Sequence, residues 1–145
     1  MKMYNICAIF CIGVAACQAA DVSWMTDFEA AKKAAAEKKV PILADFSGSD
    51  WCGWCMRLDK EVFSKKEFMD FAATDVVLLL VDFPRESAQT PAVKEQNEKL
   101  AQRYDVEGFP TVLLLDAEGK PLAKTGYRPG GPVPYIQHLK ELIGK

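Results

Sequence analysis

Cys52-Gly53-Trp54-Cys55 places two thiols three positions apart, where they can close a small disulfide and reopen it. The preceding run, Val40-Pro41-Ile42-Leu43-Ala44-Asp45-Phe46, reads as a buried strand, and the stretch from Met56 onward can run as a helix. The pair therefore falls at a strand-to-helix junction, with Cys52 at the helix N-terminus. Orphan backbone N–H groups and the helix dipole favour a thiolate there. Thiolate chemistry is the first expectation for this chain.

A length of 145 residues suggests one domain, and a 50% apolar composition can build a core without staples. Eighteen basic and 20 acidic residues give a net charge of −2. No basic block is present, which argues against a nucleic-acid partner.

Residues 1–20 have the form of an export signal, and residues 21–145 form the expected domain. Lys2 supplies a positive start, and Ile6 to Ala16 is an apolar run of 11 residues, too short for a permanent membrane span. Two processing routes stay open. Val14-Ala15-Ala16-Cys17 resembles a lipobox, in which Cys17 is acylated and becomes the first residue. Alternatively, a signal peptidase cuts among the small residues from Ala16 to Ala20. Either route discards Cys7 and Cys11 and leaves Cys52 and Cys55 as the domain's thiol pair. A disulfide across so short a loop stabilises by only about 2 kcal/mol, against about 3 for a 15-residue loop. A redox role explains the pair better than a structural one.

Thr26-Asp27-Phe28-Glu29 has capping-box form, with Thr26 as N-cap of a helix running to about Lys39. A strand follows from Val40 to Ser47, then a turn at Gly48-Ser49-Asp50. A helix runs from Cys52 to about Glu61 and continues from Lys65 to Ala73 after a kink near Ser64. Val76 to Phe83 reads as a central strand buried on both faces. Ala92 to Tyr104 is a polar helix with an apolar stripe at Val93, Leu100 and Ala101. Thr111 to Asp116 and Pro121 to Thr125 form a hairpin, and Pro132 opens a last helix ending near Ile143. The order α-β-α-β-α-β-β-α predicts an α/β fold: a central mixed sheet with helices on both faces.

The chain resembles the thioredoxin-like superfamily over about residues 22–143. Four features carry the likeness: Asp45-Phe46 ahead of Trp51-Cys52-Gly53-Trp54-Cys55; the apolar strand ending in Asp82; Val106-Glu107-Gly108-Phe109-Pro110-Thr111, similar to the family's cis-proline loop; and Gly126 in the terminal hairpin before the last helix. Within the superfamily, the segment from Cys55 to Ser64 is similar to the C-terminal thiol domain of transmembrane thiol-disulfide interchange proteins. The resemblance implies a thioredoxin fold and a redox disulfide between Cys52 and Cys55.

It also implies roles. Cys52 is the expected nucleophile, its sulfur facing solvent, and the more buried Cys55 resolves the mixed disulfide. Asp45 matches a buried carboxylate that relays the Cys55 proton, its pKa raised by desolvation. Two departures bear on that role. Thioredoxins have one residue fewer between this Asp and the first Cys, and they pair it with a Lys that Val76 to Val81 does not contain. Pro110 is expected to be cis, leaving the Phe109 backbone free to pair with an extended substrate. Trp51, Gly53, Trp54, Phe109 and Pro110 form the expected substrate surface, with Trp54 exposed. No metal and no cofactor are expected: zinc wants four ligands, and beyond this CxxC the chain offers only a lone His138 on the last helix.

The function expected is an exported thiol-disulfide oxidoreductase acting on protein thiols and disulfides. It would be a monomer, periplasmic or lipid-anchored to a bacterial membrane. Gly53-Trp54 carries no charge to stabilise a thiolate, which favours a reductase or isomerase over a disulfide oxidase. A reductant there needs a membrane electron donor. Three readings remain beside it: an oxidase, a reductant serving one partner, and a redox-inactive binding or chaperone module that keeps the fold.

Overall fold

Three apolar stretches of five or six residues pair into the sheet that organises the molecule. The computed structural model describes residues 22–145; the export signal expected at residues 1–20, with Cys17, lies outside them. The elements are α1 (Phe28–Lys38), β1 (Ile42–Ser47), α2 (Gly53–Leu58), a π-helical turn (Asp59–Phe63), α3 (Lys66–Asp75), β2 (Val77–Asp82), α4 (Pro91–Arg103), β3 (Thr111–Leu115), β4 (Pro121–Thr125) and α5 (Pro132–Ile143). The strand order is β2-β1-β3-β4. β1 runs parallel to β2 and antiparallel to β3, which runs antiparallel to β4. The mixed sheet carries helices on both faces, as the element order predicts.

Period-two alternation along β1 divides the core. Ile42, Ala44 and Phe46 face one layer with Phe28, Ala31 and Ala35 of α1 and Leu100 of α4. Leu43 faces the other layer with Leu58, Val62, Phe63, Phe68, Tyr135 and Leu139, from α2, the π turn, α3 and α5. Asp45 shares the parity of Leu43. Strand geometry alone therefore aims its carboxylate at the layer that α2 covers. Its parallel partner in β2 is Leu80.

Several boundaries differ from the sequence reading. Asp27, not Thr26, caps α1: its carboxylate accepts the Ala30 N–H at 2.8 Å. The helix simply starts one residue later, where Asp is as good a cap as Thr. The long helix after Cys52 is broken. After α2 the ladder widens, so that Ser64 N–H reaches the Asp59 carbonyl at 2.9 Å, and α3 starts afresh beyond extended Lys65. The α4 stripe is also different: Leu100 is buried, but Asn97 is the other buried residue of that helix. Its amide donates to the Asp82 carbonyl at 2.9 Å, which satisfies a polar group no apolar side chain could serve.

Candidate functional site

The carboxyl end of β1 runs through a short turn directly into α2, so the two cysteines stand at the rim of the sheet, where open α/β sheets bind ligands. Cys52 is the N-cap of α2 and is disulfide-bonded to Cys55, with the Cα atoms 5.2 Å apart. Its Sγ also accepts the Cys55 N–H at 3.2 Å. The sulfur thus folds back over the first helical turn. That is why Cys52 is only 7% exposed and Cys55 4%, rather than Cys52 facing open solvent as expected. Cys52 nonetheless stands at the helix N-terminus, as the sequence predicts, with the Cys55 N–H directed at its sulfur.

Asp45 lies beneath the pair and is buried. Its Oδ1 has no hydrogen-bond partner among the described residues. Burial raises its pKa from the ordinary carboxylate range to about 7, and the negative charges of Asp59 and Asp82 push it the same way. Asp45 and Cys55 line one cavity of about 280 Å³, walled also by Trp24, Ser47, Ser49, Met56, Asp59, Phe63 and Leu80. Leu80 is the register partner of Asp45 in β2, which contains no lysine, so no cation from that strand holds the carboxyl ionised. Exposed Met56 and Asp59 form the mouth. Trp24 packs on Phe63 at 5.1 Å between ring centroids. It is held there because Met25 pairs with the outer edge of β2, its N–H on the Leu78 carbonyl and its carbonyl accepting from Leu80. Neither Asp59 nor Trp24 is singled out by the sequence. Asp59 is one of many helix acids until the π turn sets its direction, and Trp24 precedes the first helix.

The Phe109–Pro110 peptide is cis, opening β3 beside the cysteines. Gly126 backs this loop closely: a Cβ there would lie 3.2 Å from the Pro110 carbonyl oxygen. The aromatic surface divides into two groups rather than forming one platform. Phe109 meets the edge of Trp51 at 5.9 Å and packs on Phe83 at 5.1 Å. Trp54, 55% exposed, leans instead on Tyr127 at 5.0 Å. Arg57 sits 5.4 Å from each of those two rings, and Glu61 ties the cluster by accepting from Arg57 Nε and the Tyr127 hydroxyl. Gly53 is exposed with open space around its Cα, so no contact explains it. His138 on α5 hydrogen-bonds to Thr125 at 2.9 Å, away from the cysteines in sequence and contact.

A thioredoxin-like domain family matches residues 28–133. The chain is 36% identical over 125 residues to the disulfide bond reductase DsbH of Chlamydia pneumoniae, covering 86% of this chain and 75% of that protein. It is 33% identical over 108 residues to the thiol:disulfide interchange protein DsbD of Yersinia enterocolitica, covering 72% of this chain but 17% of DsbD. The chain also spans under a third of the thioredoxin-related protein DsbJ of Chlamydia pneumoniae, at 30% identity over 105 residues. A solved DsbH oxidoreductase superposes with a TM-score of 0.81 at 31% identity, over 99% of this chain and 95% of that one.

Proposed function

The chain belongs to the thioredoxin-like domain family and is a thiol-disulfide oxidoreductase, and on that premise we propose that it works outside the cytoplasm as a reductant of protein disulfides. One observation carries the proposal: disulfide-bonded Cys52 caps α2, and its partner Cys55 shares a cavity with the buried carboxyl of Asp45, which pairs with no cation among the described residues.

In the reaction proposed, the Cys52 thiolate attacks one sulfur of a substrate disulfide. A new S–S bond forms and the substrate's own bond breaks, releasing one substrate thiol after protonation. Cys55 then gives its proton to Asp45 and attacks the Cys52 sulfur. The Cys52–Cys55 bond forms, the mixed disulfide breaks, and the second substrate thiol leaves. Two electrons have passed to the substrate. A base with a pKa of about 7 is half ionised near neutral pH, so Asp45 can accept this proton and later return it. The cavity mouth at Asp59 and Met56 gives that proton an exit.

The direction is supported by electrostatics. Strong oxidants of this chemistry stabilise the reduced form. Here Gly53 and Trp54 lie between the cysteines, and two acidic side chains, Asp45 and Asp59, line the cavity at Cys55. Little beyond the helix terminus stabilises a resting thiolate. The similarity to a protein named as a disulfide bond reductase points the same way. A reductant of this kind draws electrons from a membrane-bound donor. Export rests on the form of residues 1–20, and among the described residues no helix is long and apolar enough to cross a membrane. Beside Pro110, the Phe109 backbone offers an extended substrate its pairing edge, with Trp51, Gly53 and Trp54 around it. The molecule acts as a monomer.

Insulin reduction tests this reading. The domain of residues 21–145 is expected to precipitate insulin at the expense of dithiothreitol, and Cys52→Ser to abolish that activity. Cys55→Ser should accumulate a mixed disulfide with its substrate, visible by mass. A wild-type domain with two titratable thiols and no turnover above background would refute the reductase reading.

A further inference from the structure

We propose that Arg85 selects the protein partner: it binds a carboxylate that the partner carries beside its reacting cysteine. The proposal rests on the oxidoreductase reading and names the class of substrate that reading leaves open.

β1 and β2 are parallel neighbours, so their carboxyl ends lie side by side. β1 leads to Cys52, and β2 leads to Arg85. The two connecting segments are joined by an unusual density of hydrogen bonds. The Asp50 carboxylate accepts the backbone N–H groups of Arg85, Glu86 and Ser87 at 2.9, 2.8 and 2.8 Å. These bonds hold its pKa down at about 2, so the clamp is ionised throughout the neutral range. The Asp82 carboxylate accepts from the Ser49 N–H and hydroxyl at 2.9 and 2.5 Å. Trp51 Nε1 donates to the Phe83 carbonyl at 2.7 Å. The Arg85 backbone is therefore fixed against the residues that immediately precede Cys52.

Its side chain is fixed as well. The guanidinium carbon rests 3.8 Å from the centroid of the Trp51 ring, the residue before the nucleophile. Stacking occupies the face of a guanidinium and leaves its in-plane N–H fork available. None of the described residues accepts a hydrogen bond from that fork, and no described carboxylate pairs with it. Arg57, the arginine on the Trp54 side, differs: its Nε is committed to Glu61 at 2.6 Å. Arg85 is also the sole cation between Phe83 and Thr90. The Phe109 ring touches both Trp51 and Phe83, so the arginine and the loop that pairs with substrate belong to one surface. A pre-positioned, unpaired guanidinium is suited to a carboxylate, which it can bind through two parallel N–H donors. Cation–π packing alone would account for the 3.8 Å contact; it would not require the backbone clamp.

Three disulfide peptides of one length, with aspartates, serines or lysines flanking the cysteine, test this. The wild-type protein is expected to show a kcat/KM about tenfold higher for the aspartate than for the lysine peptide at low salt, the two converging at high salt. R85Q should bring that ratio close to unity, and R85E should invert it in favour of the lysine peptide. Inversion cannot come from misfolding. An unchanged ratio in R85Q overturns the proposal. So does an equal fall on all three peptides, which would place Arg85 with the Cys52 sulfur instead of the substrate. If the wild type reduces none of the three, the oxidoreductase reading has failed separately. Titration with peptides carrying serine in place of cysteine still decides the matter for Arg85, because equal affinities for the acidic and basic forms overturn it.

Discussion

Asp45 is a buried carboxyl without a cation, and its protonation couples the active site to stability. An unfolded aspartate ionises near 3.8, whereas the folded protein holds this proton up to about pH 7. Between those values the folded state carries a proton that the unfolded chain has lost. Wild-type stability therefore falls as pH rises through this window, and the term levels off above about pH 7. Asp45→Asn removes the slope. Relative to wild type, the oxidised variant is expected to gain stability between about pH 4 and about pH 8, on the order of 4 kcal/mol. Urea unfolding of both proteins at the two pH values measures it, and an unchanged gap would mean that Asp45 does not titrate there. The same variant should slow release of the mixed disulfide by about tenfold or more near pH 7, because Cys55 loses its proton acceptor. The burial of Asp45 was legible in its position inside an apolar run, where alternation puts every second residue on one face. Its electrostatic company was not. The absent lysine could be read from Val76 to Val81, but the acid that shares the cavity, Asp59, comes from a π turn with no sequence signature.

Elements hold the site by their ends more than by their middles. Each active-site segment starts or stops at a cap or a clamp: Cys52 at α2, Thr90 at α4 with its hydroxyl accepting the Val93 N–H, and Asp50 across the β2–α4 loop. Caps remote from the cysteines should then affect stability without touching the chemistry. Asp27→Ala removes the bond to the Ala30 N–H. It is expected to cost about 1 kcal/mol and lower the Tm by about 3–6 °C. Insulin reduction at room temperature should stay at the wild-type rate; a parallel loss of activity would mean that α1 supports the site beyond its packing on the sheet. Caps also explain where the sequence reading slips. Thr26 and Asp27 are adjacent capping residues: the box spacing to Glu29 points to Thr26, while Asp is the stronger cap and takes the position. The apolar runs at Ile42–Ser47, Val77–Asp82 and Thr111–Leu115 are clear because burial on both faces leaves almost no polar residue inside them. The break between α2 and α3 falls at the kink read near Ser64, but the π turn leading into it is hidden, since Asp59 to Ser64 contains no glycine or proline to announce it.

At the scale of the whole molecule, redox potential and folding stability are two sides of one cycle. An oxidised and a reduced domain unfold to the same oxidised and reduced chains, so any preference of the fold for one form appears equally in its potential and in its stability. A fold that favours the dithiol is a strong oxidant. This fold caps α2 with the bonded Cys52 sulfur and sets Asp45 and Asp59 around the cavity beneath Cys55, where charge released on reduction would be opposed. The disulfide form should therefore be the more stable one. Chemical unfolding is expected to place the oxidised domain about 1–3 kcal/mol above the reduced one. Since about 30 mV corresponds to 1.4 kcal/mol for a two-electron couple, that preference displaces the potential by about 20–65 mV toward the reducing side of the unfolded chain's own pair. Equilibration with glutathione should then give a value on the thioredoxin side of the known range, below about −200 mV. A reduced form more stable than the oxidised one, with a potential near −120 mV, would reverse the direction proposed for electron flow while leaving the fold and the cysteine pair as they are. The two measurements must agree with each other whichever way they fall, because the cycle is closed. A disagreement would mean that the unfolded dithiol or disulfide chain keeps structure around Cys52 and Cys55, and the stability gap alone could no longer be read as a potential.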